Sequence, residues 1–321
     1  MKMPSRNWSV LSLLLVGALA PGAHAATIIQ TANAANDTSF GNWNTALWGT
    51  PSASPTSGNS YITSGGFYAA TVNNLGTTTT GRVRDNGTVF AGDSLAIEAG
   101  TEALLKGSTG STSNANLILN GGSVRYSPNV ASSTTLAGTL QVASESYLGV
   151  AQTSNTTLTI TSTLSGDALL HIAGGGNNPA GNPVMTISFA GDLSGFTGTF
   201  DLGGGTNNTG GATAAVARLD FGQDYNLSMV DFLMGGHGTN DQLNLDQDLT
   251  FGSFTFNSNP LSAGTYDAAE LNSLFGNGAQ FIDGGGSLTV VPEPGATVLG
   301  GLGMLALLRR RGRHAKRGFA C

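Results

Sequence analysis

Alternation of apolar and hydroxyl side chains over residues 157–164 constrains the fold more than any other feature of this sequence. Leu158, Ile160 and Leu164 share one parity, and four threonines occupy the other. Successive side chains of a β-strand point to opposite faces, so the pattern predicts strands with one buried face and one face toward water. The threonines are Thr157, Thr159, Thr161 and Thr163.

A similar pattern begins again at Met185, 27 residues after Leu158. Both segments continue through a Leu-Ser-Gly step to a Gly-Gly-Gly block with Asn-Asn close behind. Glycine adopts positive φ at little cost, so we expect these blocks to form corners. A period of roughly 20 to 30 residues is typical of one coil of a repeat array, in which each coil is buried only by its neighbours. We therefore expect an all-β fold, a right-handed parallel β-solenoid of Gly-rich coils, over residues 26–291.

The composition agrees with a folded, turn-rich chain. The sequence has 48 glycines, 40% hydrophobic residues and only 10% charged residues, whereas disordered chains combine low hydrophobicity with high charge. Cys321 is the single cysteine, which excludes an intrachain disulfide and a cysteine-based zinc site.

The distribution of charge argues against nucleic acid as a partner. Between Ala26 and Leu308 there are five basic residues and all 19 acidic ones. Such an acidic chain repels phosphate backbones. Divalent cations and neutral glycans remain compatible with this charge.

Both ends of the predicted solenoid have their own signals. Trp43 and Trp48 could stack on sugars if exposed, but we expect them to close the open end of the core. At the other end, Asp267 followed three residues later by Glu270 predicts the start of one short helix, and Leu271, Leu274 and Phe275 have helical spacing. We expect this helix to cover the C-terminal end.

Residues 1–25 have the parts of a secretory signal peptide. Basic residues precede an apolar segment over 10–19, and Ala23 and Ala25 provide the small side chains required before a cut. The apolar segment is too short to span a bilayer, which needs about 20 residues. We expect export through the inner membrane and cleavage before Ala26.

The segments at the two ends of the repeats carry a family resemblance. Trp-Asn…Trp-Gly over 43–49 opens the region, and Leu-Ser-Ala-Gly-Thr-Tyr…Ala-Glu-Leu-Asn over 261–272 with Gly-Ser-Leu-Thr-Val over 286–290 closes it. With the Gly-rich coils between them, these segments resemble autotransporter-associated β-strand repeat proteins of environmental bacteria. The resemblance implies a β-helix and no particular activity.

Residues 292–313 contain three elements in order: Pro292-Glu293-Pro294, an almost uncharged run over 295–308, and Arg309-Arg310-Arg311. This order resembles the PEP-CTERM sorting signal. The resemblance implies an exosortase-type membrane protease as partner, removal of the tail, and delivery to the cell surface or an extracellular polysaccharide matrix.

The uncharged run is expected to be a transmembrane sorting helix separate from the solenoid. Its arginines would stay on the cytoplasmic side, with residues 314–321 as a cytoplasmic tail. A run of this length makes about 21 Å of helix against a hydrocarbon core of about 30 Å, so we expect a transient anchor.

Acidic residues over 220–248 offer candidate calcium ligands, with Asp241, Asp246 and Asp248 as the named candidates. Solvated loop carboxylates are the default interpretation, and we expect no obligatory cofactor. Asp246 and Asp248 would also share one face of a strand, which could serve a carbohydrate-active β-helix enzyme as acid and base. We expect no enzymatic activity and keep that class as the alternative.

Three further groups of residues have a structural and a functional interpretation. The threonine pattern over 157–163 is found on ice-binding solenoids, but it also suits any strand. His171 is expected in or beside a strand with no recognisable partner. Arg82, Arg84 and Asp85 are expected at a solvated strand edge. We therefore expect a structural or adhesive protein of the cell surface or extracellular matrix.

Overall fold

The computed structural model describes residues 25–32, 42–67, 71–72, 75, 77–128, 130–151, 154–175, 183–203, 216–235, 241–276 and 280–291. This part of the chain is mostly β, with one helix, α1 (Ala268–Phe275). The strands in the first half are β1 (Ala26–Ile29), β2 (Asn59–Ile62), β3 (Thr71–Val72), β4 (Thr78–Thr79), β5 (Gly81–Asp85), β6 (Ser94–Glu98), β7 (Thr101–Leu105), β8 (Ser111–Asn120), β9 (Ser123–Tyr126), β10 (Ser133–Ser144) and β11 (Ser146–Ala151). Those in the second half are β12 (Thr156–Ile160), β13 (Thr163–Gly166), β14 (Leu169–Gly175), β15 (Val184–Phe189), β16 (Gly195–Phe196), β17 (Thr199–Leu202), β18 (Val216–Phe221), β19 (Tyr225–Met234), β20 (Gln242–Leu245), β21 (Leu249–Phe256), β22 (Asn259–Pro260), β23 (Gly264–Tyr266), β24 (Phe281–Asp283) and β25 (Leu288–Val290).

Two large sheets contain nearly all of these strands. The first sheet has the order β1-β2-β6-β8-β10-β12-β15-β18-β20-β24, with β13 and β16 continuing β12 and β15. The second has the order β5-β7-β9-β11-β14-β17-β19-β21-β25-β23, with β22 beside β21. From β5 to β21 the chain passes alternately between the two sheets. Neighbours are parallel except where β22 and β23 join the second sheet.

The predicted alternation is confirmed. Leu158 and Ile160 are fully buried, and they pair in register with Ile187 and Phe189. One apolar core lies between the sheets and runs from Trp43 to Val290. Two parallel sheets that share a core agree with the predicted solenoid.

The register differs from the spacing read off the sequence. Leu158 pairs with Ile187, 29 positions on, and not with Met185. The sequence separation between paired residues of adjacent coils varies from 20 positions, at Gly81 and Thr101, to 39 positions, at Leu249 and Leu288. The expected and observed registers differ by two, so the buried and exposed faces were still assigned correctly.

The first glycines of one Gly block also do not form a corner. Gly174 lies inside β14, where an added Cβ would be 2.9 Å from the Cα of Ala217. Here glycine permits close approach of the two sheets and does not make a turn.

Aromatic side chains close the N-terminal end of the core, as expected. Trp43 and Trp48 are 0% and 1% exposed, so they offer no surface to a sugar. Trp48 packs edge-to-face on Tyr61, and Tyr61 on Phe90. The same segment covers the edge of β1, because the backbone N–H of Gly49 donates to the carbonyl of Ile29 at 3.0 Å.

Helix α1 covers the C-terminal end, also as expected. Asp267 caps it, and the side chain of Glu270 accepts from the Asp267 backbone N–H in return. Leu271 is fully buried. The Asn272 side chain donates to the carbonyl of Phe281 at 2.8 Å and accepts from its N–H at 3.1 Å. Asn272 thus takes the place of a further strand at the edge of the first sheet.

The expectation of a solvated edge at Arg82, Arg84 and Asp85 is wrong. Arg84 is 4% exposed and Asp85 is fully buried. Leu75, in the segment before β5, is also fully buried. Its Cδ2 lies 2.2 Å from the position that a Cβ on Gly149 would take. The chain therefore covers the outer face of the second sheet here, which the local sequence did not indicate.

Candidate functional site

The outer face of the first sheet presents hydroxyl and amide side chains in register. Thr112, Thr135, Thr159 and Ser188 pair in one column across four strands. Parallel columns lie beside it, and they also include the apolar side chains of Ile118 and Ala137. We call the set the hydroxyl face; its members are Thr112, Asn114, Asn116, Asn120, Ser133, Thr135, Thr139, Gln141, Thr157, Thr159, Thr161, Thr163, Thr186 and Ser188.

Thr186 and Ser188 extend the threonine pattern of residues 157–163 into the next coil. They are its direct partners: Thr157 pairs with Thr186 and Thr159 with Ser188. Columns are spaced by about 6.7 Å along the strands and rows by about 4.8 Å across them. The pattern is therefore a two-dimensional array.

The hydroxyl face carries no charge. Strands β8, β10, β12, β13 and β15 contain no Asp, Glu, Lys or Arg. Charge begins at its borders, where Thr186 and Ser188 pair with Arg218 and Asp220, and where Asn120 donates to Glu98 at 2.8 Å. An uncharged array of hydroxyl groups suits a neutral, hydrogen-bonding partner.

The outer face of the second sheet is different, because a charged row crosses it. Its members pair in register through six strands: Arg82, Glu102, Ser123, Tyr147, His171 and Asp201. We call this set the charged row.

A buried carboxylate anchors one end of the charged row. Glu102 is fully buried and accepts from Nε of Arg82 at 2.7 Å and from Nε of Arg125 at 2.8 Å. Nη2 of Arg125 adds a second bond at 2.9 Å. Loss of Glu102 would leave two largely buried cations without this partner, so the group stabilises the sheet.

His171 lies in the other half of the row and has two acidic partners, so the expectation that it had none is wrong. Its Nδ1 is 2.9 Å from Oδ2 of Asp201, and its Nε2 is 3.0 Å from Oε1 of Glu145. The Tyr147 ring stacks on the imidazole with centroids 4.4 Å apart. Burial lowers the pKa of His171, but the hydrogen bonds to Asp201 and Glu145 outweigh it and raise the pKa above its usual value.

Asp241 is buried close to this group. Its Oδ2 lies 2.1 Å from the position that a Cβ on Gly203 would take. Burial, with the nearby charge of Asp201, raises the pKa of the Asp241 carboxyl to about 7, although the Ala217 N–H bonds to it. Only a glycine at position 203, where φ is +93°, leaves space for this side chain.

The other two candidate calcium ligands, Asp246 and Asp248, bond to neighbouring protein groups at a bend and do not form a common site. Asp246 and Asp248 flank the bend between β20 and β21, so the expectation that they share a strand face is wrong. Asp246 accepts from Asn244 at 2.7 Å, and Asp248 accepts from the backbone N–H of Ser287 at 2.9 Å. Among the described residues, no group of three or more His, Cys, Asp or Glu side chains is arranged to hold a metal ion.

The predicted processing sites are mostly outside the described residues. These are Ala23, Pro292, Glu293, Pro294, Arg309, Arg310 and Arg311. Ala25 and Ala26 are described: Ala25 is exposed, and Ala26 begins β1 with its N–H 3.1 Å from Oδ1 of Asn59. Within the described ranges, no helix has both the length and the apolar character needed to cross a membrane.

Sequence reasoning missed the environment of His171. Glu145 and Asp201 lie 26 and 30 positions from it, which is one coil before and one coil after. A search for acidic residues one coil length before and after His171 would have found both, but it requires a coil length. The coil length varies along the chain, so the sequence alone did not indicate which acidic residues lie beside His171.

Comparisons of the chain with family models, with curated proteins and with solved structures find no match in any of the three.

Proposed function

We propose that this chain is an exported structural or adhesive protein, a right-handed β-solenoid directed to the cell surface or an extracellular matrix by a PEP-CTERM signal. The hydroxyl face is its contact surface for neutral extracellular polysaccharide. The uncharged, in-register array across strands β8 to β15 is the observation that carries this proposal.

Two properties of the array support an adhesive role. Its side chains donate and accept hydrogen bonds without a charge that would have to be desolvated. The sheet beneath it rests on a packed core, since Leu136, Leu158 and Ile187 on the inner face are buried. Many weak contacts on one surface add up when the partner is a long polymer.

The sorting part of the proposal is tested by mass spectrometry of the protein from native surface material. We expect an N-terminus at Ala26 and loss of the residues after Pro292-Glu293-Pro294. Replacing Arg309, Arg310 and Arg311 by Ala should leave the tail uncleaved. An intact C-terminus carrying Cys321 in wild-type surface material would contradict the sorting proposal.

The contact surface is tested by co-sedimentation with neutral polysaccharides of different length. Thr159→Glu places a charge in the centre of the hydroxyl face and should weaken binding at least tenfold. Thr265→Glu makes the same change at an exposed position of β23 in the second sheet and should have no effect. Equal binding by both variants would exclude the hydroxyl face.

The two-dimensional threonine array also favours a second candidate, recognition of ice. Thr135, Thr159 and Thr157 are regularly spaced and carry no charge. Inhibition of ice recrystallisation by the wild-type protein, lost in Thr159→Glu, would support this candidate. Polysaccharide binding without such inhibition would reject it.

A further inference from the structure

Three adjacent strands of the second sheet meet at one imidazole. Tyr147 on β11 pairs with His171 on β14, and His171 pairs with Asp201 on β17. Glu145, just before β11, reaches the second ring nitrogen. The side chain of His171 is 9% exposed, that of Asp201 14%, and that of Glu145 62%.

The two contacts of the ring determine its protonation state. A neutral imidazole has one N–H donor, whereas an ionised carboxylate only accepts. Distances of 2.9 and 3.0 Å to carboxylate oxygens on both nitrogens are therefore two hydrogen bonds only if the ring carries two protons. The Tyr147 ring, 19° from parallel, adds a favourable contact with the cation.

Two cations lie on the β9 side of Tyr147, and both guanidinium groups, those of Arg82 and Arg125, are bound to Glu102. Ser123 on β9 and Leu233 on β19 are the uncharged next partners on the two sides. Asp241, beside Gly203, is a further titratable group near Asp201. The imidazolium thus faces Glu145, Tyr147 and Asp201, and Asp241 lies beside Asp201.

We infer that His171 is a proton-operated clamp that joins β11, β14 and β17 on the outer face of the second sheet and releases Glu145 when the ring loses its proton. Asp201 is the retained partner, because it is more buried and lies in register with His171. Glu145 is the released partner, because most of its side chain is in water. Alkaline conditions therefore loosen this part of the sheet.

The direction follows from proton linkage. The pKa of His171 is raised in the folded state, so its contribution to stability is complete below about 6.5 and is lost as the pH rises through the folded value. Asp241 acts in the same direction, since it gives up its proton at about 7 and adds a negative charge beside Asp201. Above the folded pKa of His171, the carboxylates of Asp201 and Glu145 face a neutral ring, and Asp241 adds a further negative charge beside Asp201.

Amide hydrogen exchange and an imidazole titration by NMR test the clamp on the purified wild-type protein. We expect protection factors over residues 145–150 and 170–173 to fall about tenfold or more between pH 6 and pH 9, after correction for intrinsic exchange. His171→Gln should remove this pH dependence in those segments. Protection over 116–119 in the first sheet is the internal control.

A second variant keeps the test decisive if His171→Gln folds poorly. Glu145→Gln changes only the exposed partner, and it should lower the imidazole pKa while leaving the fold intact. A His171 pKa below 6.5 in the wild-type protein, or equal protection at both pH values, would overturn the inference. Unchanged pH dependence in a folded His171→Gln would do the same.

Discussion

Asp241 shows how one missing side chain sets the chemistry of another residue. Gly203 has no Cβ, and the Asp241 carboxyl fills the space. The carboxyl is therefore removed from water and lies near Asp201, which raises its pKa to about 7. The unfolded chain ionises this group near 3.8, so folding retains a proton that the unfolded state has lost. Stability consequently falls as the pH rises from about 4 to about 7.

Asp241→Asn should stabilise the protein at alkaline pH. The amide keeps the shape and cannot ionise, so we expect the free energy of unfolding at pH 8 to rise by roughly 2 to 4 kcal/mol, with the gain approaching zero near pH 4. Chemical denaturation at several pH values measures it. Asp231→Asn, at an exposed carboxylate, is the control and should show the pH profile of the wild type. A wild-type pH profile in Asp241→Asn would contradict the prediction.

Single residues were predictable where their partners are close in sequence. Asp267 and Glu270 form the expected capping box because both lie within one helical turn. His171 and Asp85 were misjudged because their environment depends on other coils. Asp85 accepts from Ser113, 28 positions away, and such contacts depend on a register that one sequence does not define.

The end caps matter at the scale of elements, because an open sheet presents unpaired backbone groups at both edges. The segment around Trp48 covers β1, and its Leu47 and Trp48 side chains are buried. Helix α1 covers β24, where Asn272 acts as a peptide group that bonds both to the N–H and to the C=O of Phe281. Phe275 completes this cap by packing on Phe256, with ring centroids 4.5 Å apart.

Asn272→Ala should weaken the C-terminal cap. It leaves two backbone groups of Phe281 without this partner, so we expect a loss of about 1 to 3 kcal/mol and self-association through the exposed edge. Denaturation and sedimentation velocity measure these effects. Ser273→Ala, an exposed change on the same helix, should cause neither. Monomeric, fully stable Asn272→Ala would show that the amide does not protect the edge.

Elements were predicted in type and facing but not in register. Alternation over 157–164 assigned the buried side chains correctly, because a shift of two residues preserves the faces. The sequence spacing of 27 missed the true spacing of 29 because the connections between strands vary in length from coil to coil. The number of residues in each connection produces no periodic pattern in the sequence, so the positions of the corners were predicted least well.

At the scale of the whole molecule, the core is a continuous array in which each coil is buried by its neighbours. Terminal coils have one neighbour and internal coils have two, so the ends should open first. Aromatic rings join successive coils inside the array, including Phe189, Phe221 and Phe251. No described disulfide fastens the coils, since the sequence has one cysteine.

Tryptophan fluorescence should therefore report unfolding of the N-terminal end ahead of the rest. A protein that begins at Ala26 contains only Trp43 and Trp48 of the three tryptophans, and both lie in the N-terminal cap. We expect the fluorescence midpoint in denaturant to precede the midpoint by circular dichroism. Phe281→Leu at the C-terminal end should lower the circular-dichroism midpoint and leave the fluorescence midpoint unchanged. Coincident midpoints would show that the array unfolds as a single unit.

The parallel stacking of coils also determines how the molecule responds to tension. A pull on the two ends of the folded array loads the hydrogen bonds of the outermost coil first, since each coil is held only by the next. Coils of 20 to 39 residues would come away one after another, and each would release about 70 to 130 Å of extended chain. Fixed between two surfaces, the protein would lengthen in steps at nearly constant force and so absorb mechanical work before the attachment breaks.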